Sequence, residues 1–298
     1  MAQSSREAAR AKAAQMRAEA ERKDKQRRQL TIAVSALAVI LIVVAVAFAV
    51  SNGQSGTKAS GSGTTGTAFI GTVTSIPAAT FDKAGAPAKP SPSIMRIKDG
   101  TASKDGNKAK VLYVGGEYCP YCAGERWAMV AALSRFGTFS GLAPTTSADN
   151  DGNIPTVTFA KSTYASDTVT FAPYETRDRQ GNALQKLLDD VSKIFTTHDA
   201  PPYVDSKNIG SIPWTWFGLW QAVGSAVPLE DFTGGGTTAT VTHDEIATAM
   251  KNGSDGLGKD ILAASNVISA QICAINGNQP ASVCDSAGVK AAAATLPK

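Results

Sequence analysis

The pattern of apolar and polar positions divides the chain into one long uncharged run and a later region whose apolar segments are short. The long run occupies 30–50, which is 21 residues without a charged side chain. A helix of that length, at about 1.5 Å per residue, spans about 30 Å, the thickness of a bilayer core. The pattern therefore predicts a single transmembrane helix that contacts the lipid bilayer through residues 30–50.

Beyond residue 68 the apolar pattern alternates between the periods of strands and helices. Apolar runs rich in β-branched and aromatic residues predict strands at 110–116, 154–160 and 167–175. Helical spacing of apolar residues predicts helices at 120–136, 182–195 and 257–275. Strands and helices are therefore expected to alternate through most of this region.

Two further features complete the predicted architecture. Aromatic-rich runs on either side of Gly218 predict a hairpin. Thr242, followed three residues later by Glu245, is a capping-box pattern that predicts a helix start. Mixed alternation of strands and helices that includes a hairpin is typical of an α/β fold built around one mixed sheet and flanked by helices.

The charge of the chain is unevenly distributed. Residues 1–29 carry nine Lys and Arg against four Asp and Glu, and the remainder carries 20 against 21. Because positive charge flanks only the N-terminal side of the apolar run, the positive-inside rule predicts that 1–29 is a cytoplasmic tail and that the remainder is exported. The nearly neutral remainder gives no electrostatic support for nucleic acid binding.

A segment rich in Gly, Ser and Thr at 51–67 is predicted to be a flexible linker, so the folded extracytoplasmic domain is predicted to cover 68–298. An alternative is a cleaved signal peptide, because Ala-Phe-Ala at 47–49 resembles a small-residue cleavage site. The long basic region and the length of the apolar run favour a retained anchor, which makes this a single-pass protein of the cell membrane. Both alternatives place the domain outside the cytoplasm.

The candidate chemistry lies just after the strand predicted at 110–116, in the segment Cys-Pro-Tyr-Cys at 119–122. A cysteine acts as a nucleophile only as a thiolate, so its site has to stabilise negative charge on sulfur. The free N–H groups and the positive dipole end of a helix N-terminus do this. Cys119 is predicted at the N-cap and Pro120 at the first helical position, where its missing N–H costs nothing. Cys122 is then within disulfide reach of Cys119.

This placement predicts two unequal thiols. Cys119 is expected to be exposed and activated, and Cys122 to be more buried. Cys119 would attack a substrate disulfide to form a mixed disulfide that Cys122 resolves, and the oxidised pair would run the same steps in reverse. Pro120 and Tyr121, which lie between the cysteines, are expected to contact the substrate or to tune the pair.

Three segments carry a resemblance to known proteins: "GGEYCPYCAGERW", "SIPWTWFG" and "ICAINGNQPASVC". Together they resemble a family of membrane-anchored prokaryotic proteins with a thioredoxin-like domain, and Cys-Pro-Tyr-Cys resembles the active site of the thioredoxin superfamily. The resemblance implies a thioredoxin-like mixed sheet flanked by helices. It also implies that a cis-proline faces the cysteine pair and presents backbone groups to the substrate. Pro213, preceded by Ile212, occupies that position, and cis bonds are nearly confined to proline.

The chain departs from the superfamily at one position. Many thioredoxin-like proteins carry a buried carboxylate six residues before the first cysteine, and Tyr113 stands there. Glu117 is either a replacement for that acid or a solvated loop residue. Glu117 and Ile212 are both expected to contact the substrate or to tune the pair, and Arg126 is expected to be exposed on its helix.

Cys273 and Cys284 form a second pair near the C-terminus, with ten residues between them. In an exported domain four cysteines suggest disulfides, and a structural Cys273–Cys284 bridge belongs to the simplest of the three pairings. A redox relay to the first pair is one alternative. A zinc site built from all four cysteines is another, but the spacing is unlike a zinc knuckle and no histidine stands near either pair. No metal and no cofactor are therefore predicted.

The sequence thus predicts a membrane-anchored thiol–disulfide oxidoreductase that acts on the thiols or disulfides of exported proteins. Net oxidation is favoured because extracytoplasmic compartments are oxidising. An unidentified partner that recycles the pair is implied. The alternative is a non-enzymatic binding or scaffold module of the same fold, whose cysteines are locked in inert structural disulfides.

Overall fold

The computed structural model describes residues 66–88, 91, 93–254 and 256–298. The predicted tail at 1–29, the predicted transmembrane helix at 30–50 and all but the last two residues of the predicted linker lie outside these ranges. Within them, no helix combines the length and the apolar character needed to cross a membrane.

The described chain consists of short strands and helices in alternation. The helices, in chain order, are α1 (Ala68–Thr74), α2 (Ala78–Ala84), α3 (Pro120–Leu133), α4 (Asp189–His198), α5 (Glu230–Thr233), α6 (His243–Asn252), α7 (Gly256–Ile275), α8 (Ala281–Cys284) and α9 (Ala287–Ala293), with a 3₁₀ turn at Ser206–Asn208. The strands are β1 (Ile94–Arg96), β2 (Lys104–Asp105), β3 (Lys108–Gly115), β4 (Thr138–Ser140), β5 (Ala143–Thr146), β6 (Pro155–Thr158), β7 (Thr163–Ala165), β8 (Val169–Glu175), β9 (Trp214–Trp216) and β10 (Trp220–Val223).

The main sheet is mixed, as predicted, and β3 lies inside it. β3 runs parallel to β8, with Val111 opposite Phe171, and antiparallel to β9, with Val114 opposite Trp214. β9 and β10 form the predicted hairpin, β1 pairs with β10, and the short β2 pairs with the start of β3. A strand buried on both faces needs a continuous apolar run, which "VLYVG" at 111–115 supplies.

Helices cover both faces of this sheet. Because successive side chains of a strand point to opposite faces, β3 contributes to two separate apolar clusters. Val111 and Tyr113 pack in the cluster that contains residues of α3 and α7, and Leu112 and Val114 pack in the cluster that contains Val191 of α4. The predicted α/β class, a mixed sheet flanked by helices, is confirmed.

The helices predicted in the last third of the domain are also confirmed. α6 follows the predicted capping box, in which the Thr242 hydroxyl accepts the Glu245 N–H and the Glu245 carboxylate accepts the Thr242 N–H. α7 covers the helix predicted at 257–275 and packs against α3. The long apolar α7 therefore supports the helix that carries the first cysteine pair.

Two predicted elements differ from the structure. The helix predicted at 182–195 begins only at Asp189, because the Gln185 N–H donates to the Glu175 carbonyl and extends the end of β8 instead. The strand predicted at 154–160 exists as the shorter β6. It pairs with β5 in a separate two-stranded sheet rather than with the main sheet.

The predicted disulfide between Cys273 and Cys284 is present and joins the end of α7 to α8. Its two cysteines are 11 positions apart, and closing a loop of this size removes unfolded-state entropy worth about 3 kcal/mol. We expect Cys273→Ala/Cys284→Ala to lose about that much free energy of unfolding, measured by urea denaturation. A double variant with the wild-type midpoint and slope would contradict a structural role for the bridge.

Candidate active site

The first cysteine pair lies at the N-terminus of α3, where the chain turns out of β3. Cys119 is the N-cap residue, with extended backbone angles (φ −77°, ψ 124°), and Pro120 is the first helical residue. The Cys119 Sγ accepts the backbone N–H of Cys122 at 3.2 Å. This bond satisfies one of the N–H groups that a helix N-terminus leaves free. The predicted placement of these three residues is therefore confirmed.

Glycines shape the turn between the strand and the helix. The Gly116 carbonyl accepts the Cys119 N–H at 3.2 Å, which closes the turn just before α3. Gly115 lies against the Tyr113 ring, where an added Cβ would collide with the phenol oxygen. A side chain at Gly115 would thus displace either the end of the strand or Tyr113, and with it the position of Cys119.

Both cysteines of this pair are free thiols, and both are buried. Cys122 is fully buried, and Cys119 is 5% exposed. The prediction that Cys119 is exposed is therefore wrong, although Cys122 is the more buried of the two, as predicted. The loop before β9 contributes to this burial, because the Cys119 Sγ lies 3.7 Å from the carbonyl oxygen of Ile212.

The two thiols differ in acidity. The hydrogen bond from the Cys122 thiol lowers the pKa of Cys119, and the Cys122 N–H and the positive charge of Arg126 lower it further, against the opposing effect of burial. Burial raises the pKa of Cys122 well above its ordinary value, and the hydrogen bond to Cys119 adds to this effect. Cys119 is therefore the better nucleophile of the pair.

A cis-proline lies next to the pair, as the resemblance implies. The peptide bond between Ile212 and Pro213 is cis. Pro213 immediately precedes β9, which pairs with β3, and its carbonyl accepts the Gly224 N–H at 2.8 Å. The Ile212 carbonyl is thereby held beside the Cys119 sulfur by the hairpin and not by the cysteine helix itself.

A buried ion pair that the sequence reasoning missed lies one helical turn from Cys122. Arg126 and Glu175 have fully buried side chains, and the Arg126 Nε and Nη2 each donate to a different Glu175 oxygen at 2.8 Å. Nη2 also donates to the Gly116 carbonyl at 2.7 Å. The expectation that Arg126 is exposed is therefore wrong, because the carboxylate at the end of β8 offsets the cost of burying its charge.

Two sequence signals point to this ion pair. Arg126 follows Cys122 by four residues in α3, so the two share one face of the helix. Glu175 ends an otherwise uncharged strand, and the parallel register places it opposite Gly115, at the end of the strand that precedes the cysteines. Neither signal alone identifies the partner, because only the pairing of β3 with β8 brings them together.

The other predicted site residues are divided between the core and the surface. Tyr113 is fully buried, and burial raises the pKa of its phenol well above the ordinary value. Glu117 is half-buried, and its carboxylate accepts the Thr158 hydroxyl. Tyr121 is 53% exposed, and it lines a cavity of about 420 Å³ together with Ile212.

Comparison with protein families identifies the group to which the chain belongs. Residues 99–274 match the family model of DUF929, a domain of unknown function. The chain belongs to the DUF929 family. The matched segment contains Cys119, Cys122 and Pro213, so the helix N-terminus and the cis-proline are both parts of the DUF929 domain. Searches of curated proteins and of solved structures found no match to the chain.

The second cysteine pair of this DUF929 chain lies away from the first. Cys273 and Cys284 line a cavity of about 670 Å³ with Trp220, the first residue of β10. Val223, the last residue of β10, lines the cavity that contains Tyr121. The two pairs are therefore associated with opposite ends of this strand, an arrangement that gives no support to a direct relay between them.

The zinc alternative is wrong for this DUF929 structure, because the Cys273–Cys284 disulfide removes two of the four thiolates that it requires. Within the described ranges, no three or more His, Cys, Asp and Glu side chains come together in a way that could hold a metal ion.

The DUF929 helix that carries the cysteines also contains a buried acid, Glu125. It is 4% exposed, and burial raises its pKa to about 7, against hydrogen bonds from the Ala226 N–H and the Ser225 hydroxyl. A folded-state pKa above the ordinary value of 4.5 gives stability that is complete below the lower pKa and is lost as the pH rises through the upper one.

We therefore expect the wild type to lose about 3 kcal/mol of unfolding free energy, relative to Glu125→Gln, between about pH 4.5 and 7. The amide that replaces the carboxyl group in this variant does not titrate, so urea unfolding of both proteins at several pH values isolates this group. A stability difference that stays constant across the range would contradict the raised pKa.

Proposed function

We propose that this DUF929 domain is a thioredoxin-like thiol–disulfide oxidoreductase. The observation that carries the proposal is the position of the Cys119 sulfur. It caps the N-terminus of α3, accepts the Cys122 N–H and lies beside the Ile212 carbonyl, next to a cis-proline. A cysteine at a helix N-terminus with a second cysteine within one turn is an environment that favours a reactive thiolate. The mixed sheet with helices on both faces also fits the thioredoxin-like fold.

The reaction is an exchange of disulfide bonds. The Cys119 thiolate attacks one sulfur of a substrate disulfide, a new S–S bond forms, and the other substrate sulfur leaves as a thiolate that takes up a proton. Cys122 then loses its proton and attacks Cys119, which closes the Cys119–Cys122 disulfide and releases the second substrate thiol. Two electrons pass from the cysteine pair to the substrate, and the reverse sequence oxidises a substrate dithiol.

The proposed substrates are the thiols or disulfides of exported proteins. The support is in the sequence, where the apolar run at 30–50 and the basic tail before it favour a domain held at the outer surface of the cell membrane. Net oxidation is favoured there because extracytoplasmic compartments are oxidising. A redox partner is then required to return the pair to its disulfide form after each cycle.

The burial of Cys119 favours a second candidate function, a binding or scaffold module of the same fold. Its first cysteine pair would be inert through burial, because Cys119 and Cys122 are free thiols in the structure and are not locked in the disulfide that the sequence alternative assumes. A sulfur whose residue is only 5% exposed meets a protein substrate only if the covering loop moves. The two candidates differ in reactivity. A catalytic pair is readily reduced by a mild reductant and then alkylated at Cys119, whereas an inert pair resists both reagents.

The test is the reduction of insulin by dithiothreitol in the presence of the full-length protein in detergent. We expect the wild type to accelerate the reaction and its Cys119 to keep reacting with iodoacetamide down to a lower pH than an ordinary cysteine does, because its pKa is lowered. Absence of acceleration, together with resistance of the pair to mild reductant and to iodoacetamide, would overturn the enzyme proposal in favour of the scaffold module.

A further inference from the structure

The positive charge of Arg126 acts on Cys122, the fully buried cysteine of the pair. Cys122 and Arg126 are separated by one turn on the same face of α3, and both are fully buried. Tyr113 of β3 and Glu175 of β8 interact electrostatically with the same thiol. With Cys119, these are the titratable and charged groups of the described residues that act on Cys122.

The Arg126 guanidinium is fixed in place by three hydrogen bonds. Two of its bonds go to Glu175, and the third goes to the Gly116 carbonyl, which also accepts the Cys119 N–H. The ion pair thus ties α3 to β8 and to the turn that carries Cys119. Glu175 is itself held, because its N–H donates to the Gln185 side chain at 2.6 Å.

One nitrogen of the guanidinium is left over. Arg126 Nη1 is buried and has no hydrogen-bond partner among the described residues, and the Tyr113 hydroxyl is in the same condition. A buried donor without a partner is costly, and few are found in folded proteins. An unpaired, buried and positively charged donor one turn from a thiol is suited to receive the charge that forms when that thiol ionises.

We propose that the Arg126–Glu175 ion pair is a positioning group for the resolving step of the exchange. Glu175 holds the guanidinium, and Arg126 compensates the negative charge that forms on the Cys122 sulfur. The inference rests on the thiol–disulfide exchange proposed above. In that step Cys122 gives up its proton, its sulfur bonds to Cys119, and the bond from Cys119 to the substrate breaks. The leaving substrate thiolate takes up a proton, so charge and electrons balance.

The need for compensation follows from burial. A thiolate at Cys122 forms at a site without solvent contact, and burial disfavours the charged form of a thiol. The charge of Arg126 lowers the pKa of both cysteines, whereas the charge of Glu175 raises the pKa of Cys122. Removing the whole pair and removing only the carboxylate are therefore expected to move the resolving step in opposite directions, which a purely structural role does not produce.

The test uses Ellman's disulfide and fully reduced full-length protein in a stopped-flow instrument, between about pH 5 and 9. The first release of the coloured thiol reports attack by Cys119, and the second reports resolution by Cys122. In Arg126→Met/Glu175→Leu, apolar side chains replace the ion pair. We expect its second phase to be about tenfold slower at pH 7, because the pH dependence of that phase is expected to shift about one pH unit upward.

Two further variants complete the design. Glu175→Gln keeps the cation and removes the carboxylate, so the pH dependence of its second phase is expected to shift to lower pH. Arg135→Met is the matched control, because Arg135 is a half-buried arginine just past α3 that binds Asn266 and Ser269 and contacts neither cysteine. Both phases of Arg135→Met are expected to match the wild type.

The outcomes separate this inference from the proposed function. A wild type without a first phase overturns the proposed function. Normal first phases together with unchanged second-phase profiles in the ion-pair variants overturn only the inference. Circular dichroism identifies which of the two ion-pair variants fold. If only one folds, the direction in which the pH profile of its second phase shifts decides whether the inference holds. If neither folds, the wild-type profile decides, since a second phase that is absent below about pH 9 would show that no charge compensates Cys122.

Discussion

The Cys119→Ser variant is expected to lose disulfide exchange on insulin and on Ellman's disulfide by at least about a thousandfold. In the proposed exchange the first new bond forms at the Cys119 sulfur, and a serine hydroxyl is not ionised near neutral pH and forms no disulfide. Cys122 is a poor substitute, because it is fully buried and burial raises its pKa well above the ordinary value. Initial rates at equal protein concentration measure the loss.

The opposite cysteine provides the contrasting arm of this experiment. Cys122→Ala keeps the nucleophile and removes the resolving thiol, so mixed disulfides on Cys119 are expected to accumulate and to be captured after an acid quench. The attack by Cys119 is expected to be slower in this variant, because the Cys122 thiol no longer lowers the pKa of Cys119. Mass spectrometry of the captured adducts identifies the substrates.

The matched control removes the other two cysteines. Cys273→Ala/Cys284→Ala is expected to keep the exchange rate while losing stability, since that disulfide lies at the C-terminal end of α7 and lines a different cavity from Tyr121. Retention of activity in Cys119→Ser, or loss of activity in the control at a temperature where it is folded, would contradict the assignment of Cys119 as the nucleophile.

The parts of the site that depend on near neighbours could be predicted from the sequence. A cysteine at an N-cap, a proline at the first helical position and a second cysteine one turn later are all determined within 119–122, and the bond from the Cys122 N–H to the Cys119 sulfur follows from them. The buried strand before them can also be predicted from neighbouring residues alone, because its apolar run is continuous.

The parts that depend on distant segments could not be predicted. The Cys119 sulfur contacts the carbonyl group of Ile212, which lies 93 positions later in the chain. Arg126 and Glu175 are 49 positions apart and meet only because β3 and β8 pair in one particular register. A helix was predicted at 182–195 from a genuine apolar spacing, but its first part follows the end of β8 because tertiary pairing outweighs local propensity.

The Arg126→Met variant is expected to lose about 3–5 kcal/mol of unfolding free energy, a large part of the stability of an ordinary domain. Glu175 would keep its carboxylate in a fully buried place without the two charge-assisted bonds at 2.8 Å that now satisfy it, and the Gly116 carbonyl would lose a donor. Urea unfolding followed by circular dichroism measures the loss. The double variant Arg126→Met/Glu175→Leu is expected to recover most of it, because no unpaired charge remains buried.

An exposed ion pair of the same domain gives the comparison that isolates burial. Lys110 and Asp190 approach to 3.9 Å, and 64% of the Asp190 side chain is exposed, so Asp190→Asn is expected to change the unfolding free energy by less than about 1 kcal/mol. An Arg126→Met variant as stable as Asp190→Asn would mean that the Glu175 carboxylate is solvated or protonated in the folded protein. In that case the guanidinium would not be held beneath the cysteines by an ion pair, and Glu175→Gln would leave the chemistry of Cys122 unchanged.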